Sequence, residues 1–417
     1  MAAGLGTRMK SATPKHLHPL LGRRLVDWVV QAAKDAGVER VVVVTSPDAA
    51  DEFPGEEVAV QEHPRGTGDA VRAARAALQA AGGTVLVLNG DVPALRGETV
   101  QALLETHRRE GAAGTVLAFE PEDVRSYGRI VRDRDGHLIR IVEAKDASTD
   151  ELKLGEVNSG IYAFEADKLW PLLDRLQPQN AQGELYVTDT LGFLVEDGET
   201  VAVHVADVPW EVEGINTRVE LAFVAAKLRD RINEAHMLSG VTIVDPDSTW
   251  IEAGVEIEQD VTIHPFTVIR GDVRIATGVE VGPFAYVRPG TRVDQGAKVG
   301  TFVEIKKSHV GAGAKVPHLS YIGDAEIGEG TNIGAGGVTA NFKHEPGVPK
   351  QRTTIGKNVR TGIHNVFNAP VEIGDDAWIA PGSVITEDVP PGSLAGFPPR
   401  QETKEGWVYD KHGKPDS

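Results

Sequence analysis

Ile251, Ile257, Ile263, Ile269, Ile275, Val281, Val287, Val293, Val299 and Ile305 fall on an unbroken six-residue interval, and every one is Ile or Val. An α-helix has a period of 3.6 residues and cannot place such a series on one face. A hexapeptide period specifies a parallel β-helix, in which each six-residue unit forms one side of a coil and turns one aliphatic side chain inward. Gly, Ala, Asp or Glu often follows the periodic residue, as at Glu252, Glu258, Ala276, Gly282, Asp294 and Gly300, where the chain turns a corner. The series restarts at Val310, Val316, Ile322, Ile327 and Ile333, and again at Ile355, Thr361, Phe367, Ile373, Ile379 and Ile385. It is interrupted from about Val338 to Thr354. The polar, Pro- and Gly-bearing insert Asn341–Arg352 predicts a loop thrown out of one side of the coil, where function tends to sit.

A chain of 417 residues is long for one domain, so two are expected. Residues 1 to about 218 alternate between strand and helix patterns. Val41–Val44 and Val85–Leu88 read as buried strands, and Ala70–Ala81 as a helix between them. This predicts an α/β domain over 1–218 with a mostly parallel sheet, whose ligands bind beyond the carboxyl ends of the strands. Val219, Phe223, Ala226 and Ile232 recur near helical spacing and predict a helix over Arg218–Leu238, within a linker 219–240. The β-helix then occupies 241–400 and a tail 401–417.

Composition excludes several functions. The net charge of −18 argues against non-specific nucleic-acid binding. No apolar run is long enough for a transmembrane helix, and the N-terminus has no signal-peptide core. With no cysteine, disulfides, thiolate zinc sites and a Cys nucleophile are out of reach, which fits the cytoplasm. Phosphate substrates must therefore meet local cationic pockets in an acidic surface.

One such pocket is visible in Met1-Ala2-Ala3-Gly4-Leu5-Gly6-Thr7-Arg8-Met9. Its glycines suit close backbone approach to a phosphate, with N–H groups and Arg8 facing the anion. It is neither a Walker A loop nor a dinucleotide fingerprint. Lys15 adds a cation just downstream. Asp91 follows an aliphatic strand, in Asn89-Gly90-Asp91-Val92-Pro93, and reads either as a Mg²⁺ ligand or as an Asx turn.

Taken in order, these residues resemble one family. The motifs are Ala2–Met9, Pro14-Lys15, Gln61 with Gly66-Thr67-Gly68, Gly90–Pro93, Tyr127–Ile130, Glu143 with Lys145-Asp146, Asn158–Gly160, Asn180–Glu184 and Glu213–Asn216. They are similar to those of the bacterial bifunctional enzymes of UDP-N-acetylglucosamine synthesis. Those enzymes join a Rossmann-like uridylyltransferase to an acetyltransferase on a left-handed β-helix, and the resemblance covers nearly the whole chain. It implies acetyl transfer from acetyl-CoA to glucosamine-1-phosphate, then uridylyl transfer from UTP to N-acetylglucosamine-1-phosphate, one or two Mg²⁺ ions, and a homotrimer.

The resemblance also implies residue roles. Ala2, Ala3, Gly4, Arg8, Lys15, Gln61, Gly66 and Thr67 would bind the nucleotide. Gly128, Glu143, Asn158 and Asn216 would hold the N-acetylglucosamine, and Asp91 and Asn216 the metal. In the β-helix, Arg288 and Lys306 would grip the sugar phosphate, with Glu304, Tyr321 and Asn332 around the amino sugar. His318 would take the proton from the attacking amine, a task suited to a group titrating near neutrality. Asn341, Phe342, Lys350, Ile363 and Ala380 would meet acetyl-CoA.

The chain departs from the family twice. The family has an aliphatic strand ahead of the Ala2-Ala3-Gly4 loop, so a start upstream of Met1 is expected. On the cofactor side, Phe342 replaces a Tyr, Ile363 replaces a Ser, and Arg400 stands near a position where an Arg is expected. Two alternatives stay open: a nucleotidyltransferase carried on an inert trimerising β-helix, and a non-catalytic relative.

Overall fold

The computed structural model describes residues 1–4, 6–124, 127–343, 346–396 and 401–412, so Arg400 lies outside the described residues. The chain forms two compact units, Met1–Leu228 and Arg229–Ser417.

In the first unit the main sheet runs in the order Val201–Val205, Gly114–Phe119, Val157–Glu165, Arg129–Arg132, Leu138–Val142, with Thr84–Val87 also paired to Val157–Glu165. Val157–Glu165 is antiparallel to Thr84–Val87 and to Gly114–Phe119, whereas Val201–Val205 is parallel to Gly114–Phe119. The sheet is thus mixed, not mostly parallel. Val157, Ile161, Tyr162, Ala163 and Phe164 are all buried, as expected for a central strand covered on both faces. A continuous apolar run marks such a strand but carries no information on its direction.

Val42–Thr45 pairs only with Glu57–Val60 among the described strands. Between Val42–Thr45 and Thr84–Val87 lies a cavity of about 490 Å³, lined by aliphatic side chains such as Val26, Val43, Val71, Val85 and Leu104. The chain enters at one end of it. The Met1 amino group donates to Leu88 O at 2.6 Å, and Ala2 N donates to Val44 O at 2.6 Å. Met1 and Ala2 therefore stitch together the carboxyl ends of two strands that are otherwise apart. The stretch expected as one helix over Ala70–Ala81 is broken into Thr67–Ala73, Arg75–Leu78 and a short 3₁₀ turn. Ala74 N bonds Val71 O with 3₁₀ geometry, while the Ala74 side chain stays buried against Val44 and Ala70.

The helix Arg218–Leu238 forms as expected. Glu220 accepts hydrogen bonds from Asn216 N and Thr217 N, and Thr217 Oγ1 accepts one from Glu220 N, a reciprocal cap. That cap fixes the helix's rotation. Leu221, Val224, Ala225 and Leu228 pack inward with Met9, Leu20, Leu25 and Ile215. Val219 is 80% exposed and Phe223 49%, so the face expected to be buried is the wrong one at this end.

The second unit is three parallel sheets wound as one coil. Val268, Tyr286, Glu304, Tyr321 and Val338 follow one another up one side, with Arg274, Arg292, His309 and Glu326 up a second. All the periodic residues are buried except Ile257, which is partly so. The array persists further than expected before the insert, because Val338–Ala340 is a strand. Its inward residue is Thr339, fully buried, whose hydroxyl accepts from Gly323 N at 2.7 Å and donates to Gly323 O at 3.0 Å. A hydroxyl satisfied by backbone takes the place of a methyl and hides the period. The break therefore starts at Asn341.

Candidate functional sites

In the first unit Arg8, Lys15 and Asp91 meet at Asn216, with Asp91 just past the carboxyl end of Thr84–Val87. Gly6 has φ 58, and a Cβ there would meet Lys15 Cβ at 2.5 Å, so only glycine lets the loop lie against Lys15. Lys15 Nζ donates to Asp91 Oδ2 and, at 3.0 Å, to Asn216 Oδ1. Arg8 Nη2 donates to the same Asn216 oxygen at 2.8 Å. Ile215 N bonds Asp91 O at 2.8 Å, which ties the Asp91 turn to the segment carrying Asn216. Two cations and two oxygen donors distant in sequence are thus one cluster. Close by, burial pushes the Met1 amino group down to about 6 against the pull of Asp91. Burial and the positive charges of the N-terminus and Lys15 take His16 down to about 4, so that ring is neutral.

Gln61 is buried, and its amide nitrogen donates to Gly66 O and to Asp69 Oδ2, both at 3.1 Å. Gly66 has φ 110, and a Cβ there would strike Leu185 O at 2.5 Å. Thr67 Oγ1 accepts from Val187 N at 3.0 Å. Gln61, Gly66 and Thr67 therefore form one rigid rim, with the Thr67 hydroxyl partly engaged in holding it.

Gly128, Glu143 and Asn158 also converge. Asn158 N donates to Gly128 O at 2.9 Å, and Asn158 Nδ2 to Tyr162 Oη at 2.8 Å. A Cβ on Gly128 would lie 3.4 Å from Glu143 Oε1, so glycine leaves that carboxyl open on one side. Burial pushes the Glu143 carboxyl up to about 7, and Asp146, Asp189 and Glu184 add to the rise. Asp146 and Glu184 sit in motifs visible in the sequence. Asp189 gave no signal, since an acid in the first turn of a helix is common.

In the second unit, Arg288 Nη1 pairs with Glu304 Oε1 at 2.7 Å, and neighbouring coils place Glu304 beside Tyr321 and Lys306 beside Gly323. A Cβ on Gly323 would lie 2.4 Å from the Tyr321 hydroxyl, so the phenol lies over that glycine. Asn341 Nδ2 donates to Tyr321 Oη at 3.4 Å and to Asp324 Oδ2 at 2.5 Å. His318 is exposed, next to Thr301 of the preceding coil, and its carbonyl accepts from Ser320 Oγ at 2.7 Å. Asn332 bridges the coils of Lys315 and Arg360. Lys350 stands beside Lys306: its ammonium contributes most to lowering the Lys306 pKa, with Arg288 adding and Asp324 opposing. Like charges held together this way fit an anion between them. Phe342 and Ile363 are exposed at 58% and 53%. Lys343 Nζ reaches Asn368 Oδ1 at 3.5 Å, and Ala380 lends its carbonyl to Asn365 Nδ2 at 2.7 Å. Arg288, Glu304, Lys306 and Tyr321 thus lie together on neighbouring coils, joined by Asn341 and Lys350.

Residues 1–188 match the MobA-like NTP transferase domain, and residues 254–289 match the bacterial transferase hexapeptide (six repeats). The chain is 45% identical over 455 residues to the "Bifunctional protein GlmU" of Corynebacterium aurimucosum, covering 99% of this chain and 93% of that one. It is 46% identical over 453 residues to the protein of the same name from Streptomyces coelicolor, with coverage of 99% and 93%. It is 42% identical over 448 residues to that of Caldanaerobacter subterraneus subsp. tengcongensis, with coverage of 99% and 97%.

Proposed function

Because the chain belongs to the family of bifunctional GlmU proteins, we infer that it makes UDP-N-acetylglucosamine in two steps. Acetyl-CoA acetylates glucosamine-1-phosphate, and UTP then uridylates the product with release of pyrophosphate. The observation that carries the first unit's role is the Arg8–Lys15–Asp91–Asn216 cluster. A scaffold protein has no use for two cations and two oxygen donors converging at the ends of strands.

In the uridylyl step, an oxygen of the sugar-1-phosphate attacks the α-phosphorus of UTP in line and expels pyrophosphate. Arg8 and Lys15 neutralise the phosphates, and the Gln61–Gly66–Thr67 rim reads the uracil edge. Gly128, Glu143 and Asn158 position the sugar. Catalysis here is positioning and charge stabilisation. Asp91 and Asn216 would hold Mg²⁺: their oxygens already converge on one cation, the Lys15 ammonium, and hard oxygen donors suit that metal. When bound, it would supply further charge neutralisation at the phosphates.

In the acetyl step, Arg288 and Lys306 grip the phosphate, joined by Lys350, which stands with Lys306. Glu304, Tyr321 and Asn332 orient the amino sugar. His318 removes the proton from the amine as it attacks the thioester carbonyl of acetyl-CoA. Asn341, Phe342, Ile363 and Ala380 lie along the acetyl-CoA side. The domains would divide near residue 218, the β-helix assembling as a homotrimer, and the nucleotide and acyl co-substrates place the reaction in the cytoplasm. No described helix is long and apolar enough to cross a membrane.

Running the two half-reactions separately on the purified chain tests this reading. Asp91→Ala should lower pyrophosphate release by about 10²–10³-fold, the size of losing one preorganised charge, and leave CoA release unchanged. His318→Ala should do the reverse. Released thiol can be read directly, since the protein has no cysteine. The exposed Ile363 and Phe342 favour one rival, a uridylyltransferase on an inert coil. It prevails if the unaltered chain releases no CoA at any acetyl-CoA concentration.

A further inference from the structure

In the uridylyl step proposed above, Gln61 faces the base, and an amide side chain can do so in two opposite ways. Its oxygen accepts, its nitrogen donates, and a half-turn of the last bond exchanges them. Uracil offers an N–H at position 3 beside a carbonyl. Cytosine offers a bare nitrogen there beside an amino group, with donor and acceptor reversed. The choice of pyrimidine therefore turns on which end of the amide faces the base and how firmly the other end is held.

One end is held on every side. Gln61 directly follows the strand Glu57–Val60, and its backbone N–H donates to Thr45 O at 2.8 Å. Its Nε2 donates to Gly66 O and to Asp69 Oδ2, both at 3.1 Å. A backbone carbonyl and a carboxylate only accept, so chemistry sets the orientation of the amide: turned over, Oε1 would meet two oxygens. Gly66 O is itself engaged, since it also accepts from Ala70 N at 3.2 Å in the first turn of Thr67–Ala73. An acid in a helix's first turn ordinarily serves the helix. Both oxygens of Asp69 accept from side chains instead: Arg65 Nη2 donates to Oδ1 at 2.9 Å, and Oδ2 is left for Gln61. Gln61 is 6% exposed and Asp69 7%, so water is a poor substitute for either partner. Among the described residues no donor reaches Gln61 Oε1, the amide atom left for a ligand.

We propose that Asp69 sets the choice of pyrimidine by locking the Gln61 amide with its oxygen toward the base. A fixed acceptor pairs with the N3–H of uracil and opposes the N3 lone pair of cytosine. To accept cytosine the amide must turn over, which breaks both Nε2 bonds and sets its oxygen against Gly66 O and Asp69 Oδ2. Buried polar groups left unpaired in this way reject the wrong base more strongly than shape alone does. Asp69 touches no substrate in this scheme. It acts through Gln61 and is a positioning residue, with Arg65 holding its carboxylate in turn.

The lock rests on the uridylyl reading given above, and pyrophosphate release separates the two. The unaltered chain should release pyrophosphate with UTP; no release overturns that reading and the lock with it. Asp69→Ala removes one of the two bonds that hold the amide, the one to a charged group. The ratio of kcat/KM for UTP to that for CTP should then fall at least tenfold, chiefly through a gain with CTP. A residue that only supported the helix would slow both nucleotides alike, so an unchanged ratio overturns the lock and leaves the uridylyl reading standing. Asp69→Asn keeps an oxygen for Nε2 and should hold the ratio within threefold of normal. A tenfold fall there would show charge, not the accepting atom, in control, and would also overturn the lock. UTP methylated at N3 tests the same point on the unaltered chain, and so serves even where Asp69→Ala fails to fold. It should react at least 100-fold more slowly than UTP; equal rates would leave no role for a fixed acceptor.

Discussion

Extending the chain by five aliphatic residues ahead of Met1 should stabilise the first unit through two separable effects. One is electrostatic. Burial pushes the Met1 amino group down from 8.0 to about 6. The unfolded chain thus binds a proton between these values that the folded chain does not, so stability rises with pH from 6 to 8. A fall of that size corresponds to about 3 kcal/mol, lost in full below pH 6. An extension turns the amine into an amide and removes that loss. The other effect is packing. The new segment would run into the cavity of about 490 Å³ between Val42–Thr45 and Thr84–Val87. Burying each aliphatic side chain contributes roughly 2 kcal/mol, which ordering its residue about cancels. The net gain comes from hydrogen bonds along both open edges, at about 1 kcal/mol each, or on the order of 5 kcal/mol. Survival of uridylyl transfer in rising guanidinium, measured from pH 5 to 9, reports the unit concerned. The extended chain should show a higher midpoint at pH 8 and a flatter pH dependence. Equal midpoints would sink the packing claim; equal slopes would sink the electrostatic one.

Three further outcomes are expected. Glu143 is protonated at pH values below about 7, and sugar hydroxyls donate to its ionised form, so binding N-acetylglucosamine-1-phosphate near pH 7 should release a proton. Calorimetry in buffers of different ionisation enthalpy reads this directly, and Glu143→Gln should abolish the buffer dependence. His309 lies 2.7 Å from Asp294 and also bonds Glu326; burial alone would lower its pKa, but these carboxylates outweigh it and raise it. The stability it contributes is therefore complete below the unfolded value and is lost as pH rises through the folded one, and the melting temperature of the second unit should fall over that window, except in His309→Gln. Ile305→Ala removes a fully buried side chain and should cost about 2–5 kcal/mol, with CoA release lost on heating well before pyrophosphate release.

The six-residue period made the β-helix legible because every inward position needs an aliphatic side chain of similar size, and the chain repeats that demand coil after coil. Where the demand was met by other chemistry the period disappeared: Thr339 satisfies its hydroxyl on Gly323 and passes for a break. In the first unit, Arg8, Lys15, Asp91 and Asn216 stood out as chemistry-bearing residues, but only the fold shows Asn216 accepting from both cations at once. Helix rotation was misread, since Val219 and Phe223 satisfy a 3.6-residue pattern as well as Leu221, Val224 and Leu228 do. The reciprocal cap between Thr217 and Glu220 decides between them. Strand direction and the neighbourhood of Lys350 had no sequence signal, because both depend on which distant segments meet.

The third to sixth strands of an eight-strand side, from Tyr286–Val287 to Val338–Ala340, include or border Arg288, Glu304, Lys306 and Tyr321. Such an array loses structure as a zipper does, from its free ends, since a terminal coil has one neighbour and an inner coil has two. Fraying by heat, or pulling on either end, should strip the outermost coils while those of the middle still hold their geometry. Under an optical trap, the molecule would lengthen in steps of one released coil, and the residues expected to carry acetyl transfer would be among the last to part.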